Sequence, residues 1–276
     1  MSKVAAIQMA SGLQVQGNLL EAGRLITSAV DAGAELVVLP ENFALMGATE
    51  QDKVKQREAP GEGPIQAFLA EQARTHGIWL VGGTVPLAAT VPNKIRAACL
   101  VFNPQGEQVA RYDKIHLFDV NIPQSNERYE ESATIERGNG GVTLDTPWGR
   151  LGLAVCYDLR FPELFRLLLE QGAEFIALPA AFTAVTGKAH WECLLRARAI
   201  ENMMYIIAAA QGGFHLNGRE TYGDSLIVDP WGNVLERRMR GNGVVVAELD
   251  ADFQANTRSR FPAIQHRRIV CGHDLS

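Results

Sequence analysis

The sequence predicts an α/β fold built as two similar halves packed face to face around one core. Three observations lead there. Apolar runs of strand length alternate with segments whose apolar residues recur at helical spacing, the order expected of βα units. Runs such as Leu36-Val37-Val38-Leu39 are continuously apolar, as a strand buried on both faces requires. The chain also repeats itself: Gly33-Ala34-Glu35-Leu36-Val37-Val38-Leu39-Pro40-Glu41-Asn42-Phe43 matches Gly172-Ala173-Glu174-Phe175-Ile176-Ala177-Leu178-Pro179-Ala180-Ala181-Phe182 at six of eleven positions. A helix precedes each copy, and helix, strands and a turn follow it: Asn103-Pro104-Gln105-Gly106 in one, Asp229-Pro230-Trp231-Gly232 in the other. Chance convergence of two helix–turn–strand units is the alternative reading. The copies part at Glu41, which becomes Ala180: a repeated scaffold keeps its turn and discards the carboxylate in the half that does no chemistry.

In order along the chain, Val4 to Met9 is apolar and β-rich, and reads as a first strand. Residues 17–32 carry Leu19, Leu20, Ala22, Leu25, Ile26 and Val30 at helical spacing and stop at Gly33. A second helix over 64–76 is opened by Pro64, whose fixed φ suits a first turn, and closed by Gly77. Strands are expected at about 78–85, 95–102 and 107–112, then at 151–155, 174–178, 204–210, 224–228 and 243–248. Helices are expected at about 161–171 and 189–202.

A layered α/β chain of 276 residues can form one unit, and 1–276 is expected to be a single domain, with the tail from about 250 at an oligomer interface. Hydrophobic residues are 47% and charged residues 21%, enough for a large core without staples. A net charge of −5 argues against a general nucleic-acid binder, though a few cleft arginines can still hold a small anionic substrate. The start of the chain is too short in apolar residues for a signal region, and no run approaches the ~20 residues of a membrane span. Cys99, Cys156, Cys193 and Cys271 are too sparse for a disulfide framework, which points to a reducing cytosol. The six histidines lack ligand spacing, so no metal and no cofactor is expected.

The chemistry-bearing residues begin at Leu151-Gly-Leu-Ala-Val-Cys156-Tyr-Asp-Leu-Arg-Phe-Pro-Glu163. A strand that ends at Cys156 just before a helix puts the thiol near free N–H groups and the positive helix end, which should lower its pKa. The Tyr157 N–H is then placed to donate to an oxyanion beside the sulfur. A lone cysteine in such a strand is otherwise inert core. Glu41 ends a buried strand, the usual place for a site residue in an α/β sheet, although a solvated loop glutamate reads the same way. Lys114 lies among apolar and aromatic neighbours in Tyr112-Asp113-Lys114-Ile115-His116-Leu117-Phe118, where a desolvated ammonium needs a counter-charge; a surface lysine is the alternative. Glu131 falls in a polar stretch that on composition alone is a solvated loop.

Together, Leu39-Pro40-Glu41, Asp113-Lys114-Ile115-His116 and Cys156 to Glu163, in this order, resemble the nitrilase, or carbon–nitrogen hydrolase, superfamily over essentially the whole chain. The resemblance implies a four-layer α-β-β-α sandwich, in agreement with the internal repeat. It implies a Glu–Lys–Cys triad at Glu41, Lys114 and Cys156, with Glu131 as a second glutamate, and amide hydrolysis through a thioester. Finer resemblance, to the deaminated-glutathione amidase branch, lies in Thr186-Gly-Lys-Ala-His-Trp-Glu192, Arg196-Ala-Arg-Ala-Ile-Glu201, Ala208-Ala-Ala-Gln211, Tyr222-Gly-Asp-Ser225 and Val228-Asp-Pro-Trp-Gly232. The implied substrate carries two carboxylates, for which Arg160 and His190 are candidate binders, each with a structural job as the alternative. An omega-amidase, an N-carbamoyl hydrolase or a catalytically silent partner protein on the same scaffold are the other readings. The family also implies a homodimer through the helices after Cys156 and around 190–202.

Overall fold

The structure, a computed structural model, describes residues 2–123 and 127–269, so Cys271 and the end of the tail lie outside the described residues. Two large sheets carry the molecule. In the first, the strands run Gly243–Leu249, Ser2–Gln8, Leu36–Val38, Trp79–Val81, Ile95–Phe102 and Val85–Ala88, with Gln108–Asp113 also paired to Ile95–Phe102. In the second, the order is Val234–Arg238, Ser225–Val228, Tyr205–Ala210, Phe175–Ala180, Gly149–Leu153 and Val142–Thr146.

The repeat seen in the sequence is a repeat of topology. Leu36–Val38 is flanked by parallel neighbours, Ser2–Gln8 and Trp79–Val81, and its counterpart Phe175–Ala180 is flanked in parallel by Gly149–Leu153 and Tyr205–Ala210. The next strand outward is antiparallel in both halves. Both central strands are therefore fully buried, which is why they read as unbroken apolar runs.

The period-two alternation of a strand separates the layers. Val4, Ala6, Leu36 and Val38 face the second sheet and share a core cluster with its residues, including Leu153 and Ala177. Their neighbours Ala5, Ile7, Val37 and Leu39 face outward onto the helices Val15–Asp31 and Pro64–His76, through Ala22, Leu25, Ile26, Leu69 and Ala73. On the far side Pro162–Glu170 and Ala184–Asn202 cover the second sheet through Leu164, Leu168, Leu195 and Ala199. The result is the expected α-β-β-α sandwich. Each large side chain fully buried between the layers stabilises by roughly 1.5–3 kcal/mol.

Several boundaries depart from the sequence reading. The segment 78–85 divides into Trp79–Val81 and Val85–Ala88 at Gly82-Gly83. Gly83 has φ +54, and any Cβ there would strike the Pro40 carbonyl, so this glycine lets the chain lie directly under the turn that carries Glu41. The helix expected from 189 starts at Ala184, because Thr183 caps it by accepting from the Thr186 N–H at 3.2 Å. Gly187, which looks like a breaker, sits inside that helix where a Cβ would strike Tyr222. The strand expected to run to Val155 ends at Leu153. Leu20, apolar and in helical register, is exposed. Two small hairpins that the alternation did not signal stand outside the sheets: Asp119–Asn121 with Arg128–Glu130, and Gly212–Phe214 with Glu220–Tyr222. No described helix is long and apolar enough to cross a membrane.

Candidate active site

Glu41, Lys114, Glu131 and Cys156 meet where the two sheets' carboxyl-end loops converge. Glu41 follows Leu36–Val38 by one short turn and is buried. The turn is fixed on both sides: the Asn42 N–H donates to Thr84 Oγ1 at 2.8 Å, and Gln211 Nε2 donates to the Glu41 carbonyl at 3.1 Å. Lys114 leaves the end of Gln108–Asp113, pinned by its N–H to the Ala97 carbonyl at 3.1 Å, and is 1% exposed. Its Nζ lies 2.9 Å from Glu41 Oε1 and 3.0 and 2.8 Å from the two oxygens of Glu131. Glu131 opens a 3-10 turn and also accepts from the Phe118 N–H at 2.8 Å.

Cys156 sits on a sharp elbow between Leu153 and a 3-10 turn that leads into Pro162–Glu170. Its φ of +48 is unusual for a side chain with a Cβ, and the strained turn presents the sulfur at the surface of the cleft. Sγ accepts from the Ala181 N–H at 3.4 Å. Ala181 occupies the position of Asn42 in the internal repeat, so the copy that lost the carboxylate supplies a backbone donor to the Cys156 sulfur instead.

Asp158 locks this elbow and was not singled out by the sequence. It is completely buried and accepts from the Val155 N–H at 2.7 Å, the Tyr112 hydroxyl at 2.7 Å and the His116 N–H at 3.3 Å, while His116 Nδ1 lies at 2.7 Å. His116 in turn stacks on Phe161, ring centres 3.7 Å apart. Tyr112 and His116 flank Lys114 in the chain, so one carboxylate aligns the thiol elbow with the lysine segment. An aspartate beside a strand end ordinarily reads as solvated, and only the converging donors reveal its role.

Electrostatics set the resting charges. Burial pushes the Glu41 carboxyl up, but the Lys114 charge and hydrogen bond, with the Cys156 thiol beside it, hold it below its ordinary 4.5. Burial pulls Lys114 down, yet Glu131 and Glu41 drive it well above the usual lysine range. For Cys156 the expectation of a lowered pKa is overturned. Burial and the Glu41 charge push the thiol well above its ordinary range, against the opposing pull of Lys114 and the Ala181 N–H. The helix end is too weak to offset desolvation beside an anion. The site rests as thiol, carboxylate and ammonium.

A narrow pocket opens over the sulfur, walled by Tyr157, Phe118 and Phe182 and reached by Arg160, Thr186 and Arg219. Arg160 lies half-buried over the Phe182 ring at 5.0 Å and near the Tyr157 ring at 5.7 Å. His190 does not line the pocket. It is exposed and meets Arg160 at 3.1 Å, because it faces outward one turn along its helix, so its expected contact with substrate becomes a contact with Arg160. The Ala208–Gln211 stretch and the Arg196–Glu201 segment do not reach the pocket either: Gln211 holds the Glu41 turn, and Arg196 donates to the Gly232 carbonyl. Arg219, hidden in a turn-like Asn217-Gly218-Arg219 run, is the pocket cation that sequence reasoning missed.

Comparison with known proteins agrees with this geometry. The carbon-nitrogen hydrolase family profile matches residues 3–258, and the chain belongs to that family. It is thus a hydrolase of non-peptide carbon–nitrogen bonds. It is 43% identical over 270 residues to the deaminated glutathione amidase of Yersinia enterocolitica, covering 98% of this chain and 94% of that one. It is 39% identical to that of Homo sapiens, covering 99% and 85%. Among solved structures, Saccharomyces cerevisiae Nit3, a member of branch 10 of the nitrilase superfamily, superposes with a TM-score of 0.87 at 32% identity, covering 97% of both chains. The C. elegans NitFhit protein superposes at 0.86 with 37% identity, and this chain spans 65% of its length.

Proposed function

We propose that the protein hydrolyses deaminated glutathione, in which 2-oxoglutarate is joined through its distal carboxyl to Cys-Gly, releasing the two parts. The relatives of that name support the substrate, and the observation that carries the mechanism is Lys114 Nζ bonded at once to Glu41 and Glu131 beside the Cys156 thiol.

Cys156 Sγ attacks the amide carbonyl as Glu41 takes the thiol proton; the neutral thiol and ionised carboxylate at rest are the protonation states this transfer starts from, and the attack itself drives it. The developing oxyanion is stabilised by Lys114 and the Tyr157 N–H. Lysine has three N–H bonds, so with one on each carboxylate a third remains for the oxyanion. Such a donor contributes about 3–4 kcal/mol in comparable sites. The carbon–nitrogen bond breaks as Glu41 returns the proton to the leaving nitrogen, giving a thioester on Cys156. Water then attacks with Glu41 as base, the acid departs, and the proton returns to sulfur. Glu131 keeps Lys114 charged and aimed. Arg160, over Phe182, binds the carboxylate of the oxo-acid.

The protein acts as one unit, in a reducing, cytoplasmic compartment in which a thiol nucleophile persists. It pairs as a homodimer. Trp231 and Phe261 form an exposed edge-to-face pair, and Ile200 and Phe253 are exposed too, an apolar surface of the kind that subunits cover.

A panel of amides tests the substrate, with products identified by mass spectrometry. Release of 2-oxoglutarate and Cys-Gly from deaminated glutathione is expected, at a kcat/KM well above that for 2-oxoglutaramate. Equal values for the two would favour an omega-amidase.

A further inference from the structure

Arg219 stands at the junction of two cavities. It lines the pocket over Cys156, and it also lines a larger open cleft that shares Phe118 and Glu131 with that pocket. The walls of the cleft include Tyr129 from one small hairpin and Phe214 from the other. The guanidinium lies over the Tyr129 ring, 4.9 Å from its centre. It donates from Nη2 to the Ala181 carbonyl at 3.0 Å, while its Nε is buried with no hydrogen-bond partner. Glu50 feels its charge but is bonded to Lys53 at 2.8 Å. Nε is closed off from the cleft, and Nη1, which is not buried and has no hydrogen bond among the described residues, is the donor open to an anion that enters it.

Ala181 ties this cation to the reaction centre, since its N–H reaches Cys156 Sγ at 3.4 Å and its carbonyl accepts from Arg219. The guanidinium therefore stands within about 10 Å of the sulfur, given one residue and two hydrogen bonds between them. An extended dipeptide reaches roughly 7 Å beyond the scissile nitrogen. Glu41 and Glu131 are already held by Lys114 and Glu50 by Lys53, so these three are engaged elsewhere, and a substrate anion can take the guanidinium.

We infer that Arg219 binds the C-terminal carboxylate of the leaving dipeptide and selects amides with an acidic leaving portion over primary amides. The assignment rests on the function proposed above. Arg160 and Arg219 then serve one substrate carboxylate each, on the acyl and the leaving side.

The test compares kcat/KM on three substrates, 2-oxoglutaryl-Cys-Gly, its C-terminal carboxamide and 2-oxoglutaramate, for the unmodified enzyme, Arg219→Gln and Arg219→Lys. The unmodified enzyme should prefer the free acid to its carboxamide by ~10- to 150-fold, the worth of a charged hydrogen bond. Arg219→Gln should bring the ratio of free acid to carboxamide close to one, whatever change it makes in common to all three substrates, and Arg219→Lys should restore part of that ratio. An equal loss on all three substrates would mean that Arg219 only positions Ala181, and acid and carboxamide handled alike by the unmodified enzyme would remove the assignment. Inactivity of the unmodified enzyme on all three would instead refute the proposed function, and this assignment with it.

Discussion

The thiol of Cys156, the carboxylate of Glu41 and the ammonium of Lys114 share one buried volume, so the charge of each depends on the others. Because Glu41 lies below 4.5 despite its burial, the base stays ionised through the whole neutral range. The pH profile of kcat/KM, which reports the free enzyme, should therefore be flat on the acid side until the pH drops under 4.5. On the alkaline side the raised Cys156 and Lys114 should keep it flat past the usual thiol range. An acid limb centred near neutrality would assign the base to another group. The same sign holds for stability: a depressed carboxylate stabilises the fold above its unfolded pKa, and that contribution is lost as the pH falls through the folded value. Glu41→Gln keeps shape but cannot accept the proton, and should slow thioester formation by ~10²–10⁴-fold in single-turnover measurements. Cys156→Ala should lose hydrolysis almost completely with little change in the melting curve, and activity above a tenth of the original would move the nucleophile elsewhere.

Single elements hold these groups in register. The elbow at Cys156 and the segment after Gln108–Asp113 are separate in the chain, and Asp158 joins them through donors from both. Replacing it by alanine leaves the Tyr112 hydroxyl and two backbone N–H groups without acceptors in a dry interior. Asp158→Ala should therefore destabilise by about 3 kcal/mol or more in denaturant unfolding, because each orphaned group costs about 1–3 kcal/mol. It should also lower kcat, since the φ of +48 at Cys156 persists only while its surroundings enforce it. Stability close to the original would show that the elbow holds itself.

Across the whole molecule the two halves are stitched together by two glutamines at one end of the strands. Gln8 of the first sheet accepts from the Ser225 N–H at 2.8 Å and donates to the Gly241 carbonyl at 2.9 Å. Gln211 of the second half accepts from the Ser11 N–H at 2.9 Å and donates to Ser11 Oγ and to the Glu41 carbonyl. Gln211→Leu should cost about 2–3 kcal/mol and reduce turnover, because the general base loses a tether supplied by the other half. Unchanged turnover alongside that loss would separate the suture from the site. At the scale of the assembly, sedimentation should find a dimer, and Trp231→Glu should shift it towards monomers. A monomer at micromolar concentrations in the unmodified protein would sink the homodimer.

The sequence by itself determined the layers, and the resemblance of its motifs implied the proposed reacting groups. Burial on both faces leaves a strand no polar position, so Leu36–Leu39 and its counterpart announce themselves, and the repeat around them foretold two equivalent halves. Glu41, Lys114 and Cys156 each left a bland reading open when taken alone, and their grouping as a triad is what the resemblance carried by the three motifs implied. Tertiary structure decided what depends on neighbours remote in the chain. The thiol's resting state follows from desolvation beside Glu41, which overrides the local helix end. Asp158, the Ala181 N–H and Arg219 take their roles from partners brought close only by folding, and backbone donors leave no mark in a sequence at all. His190 takes the structural alternative, a contact with Arg160, for the same reason, since helical register alone does not say which side of Arg160 it occupies. Periodicity records whether a side chain meets apolar matter or water; which charge it meets is fixed by packing.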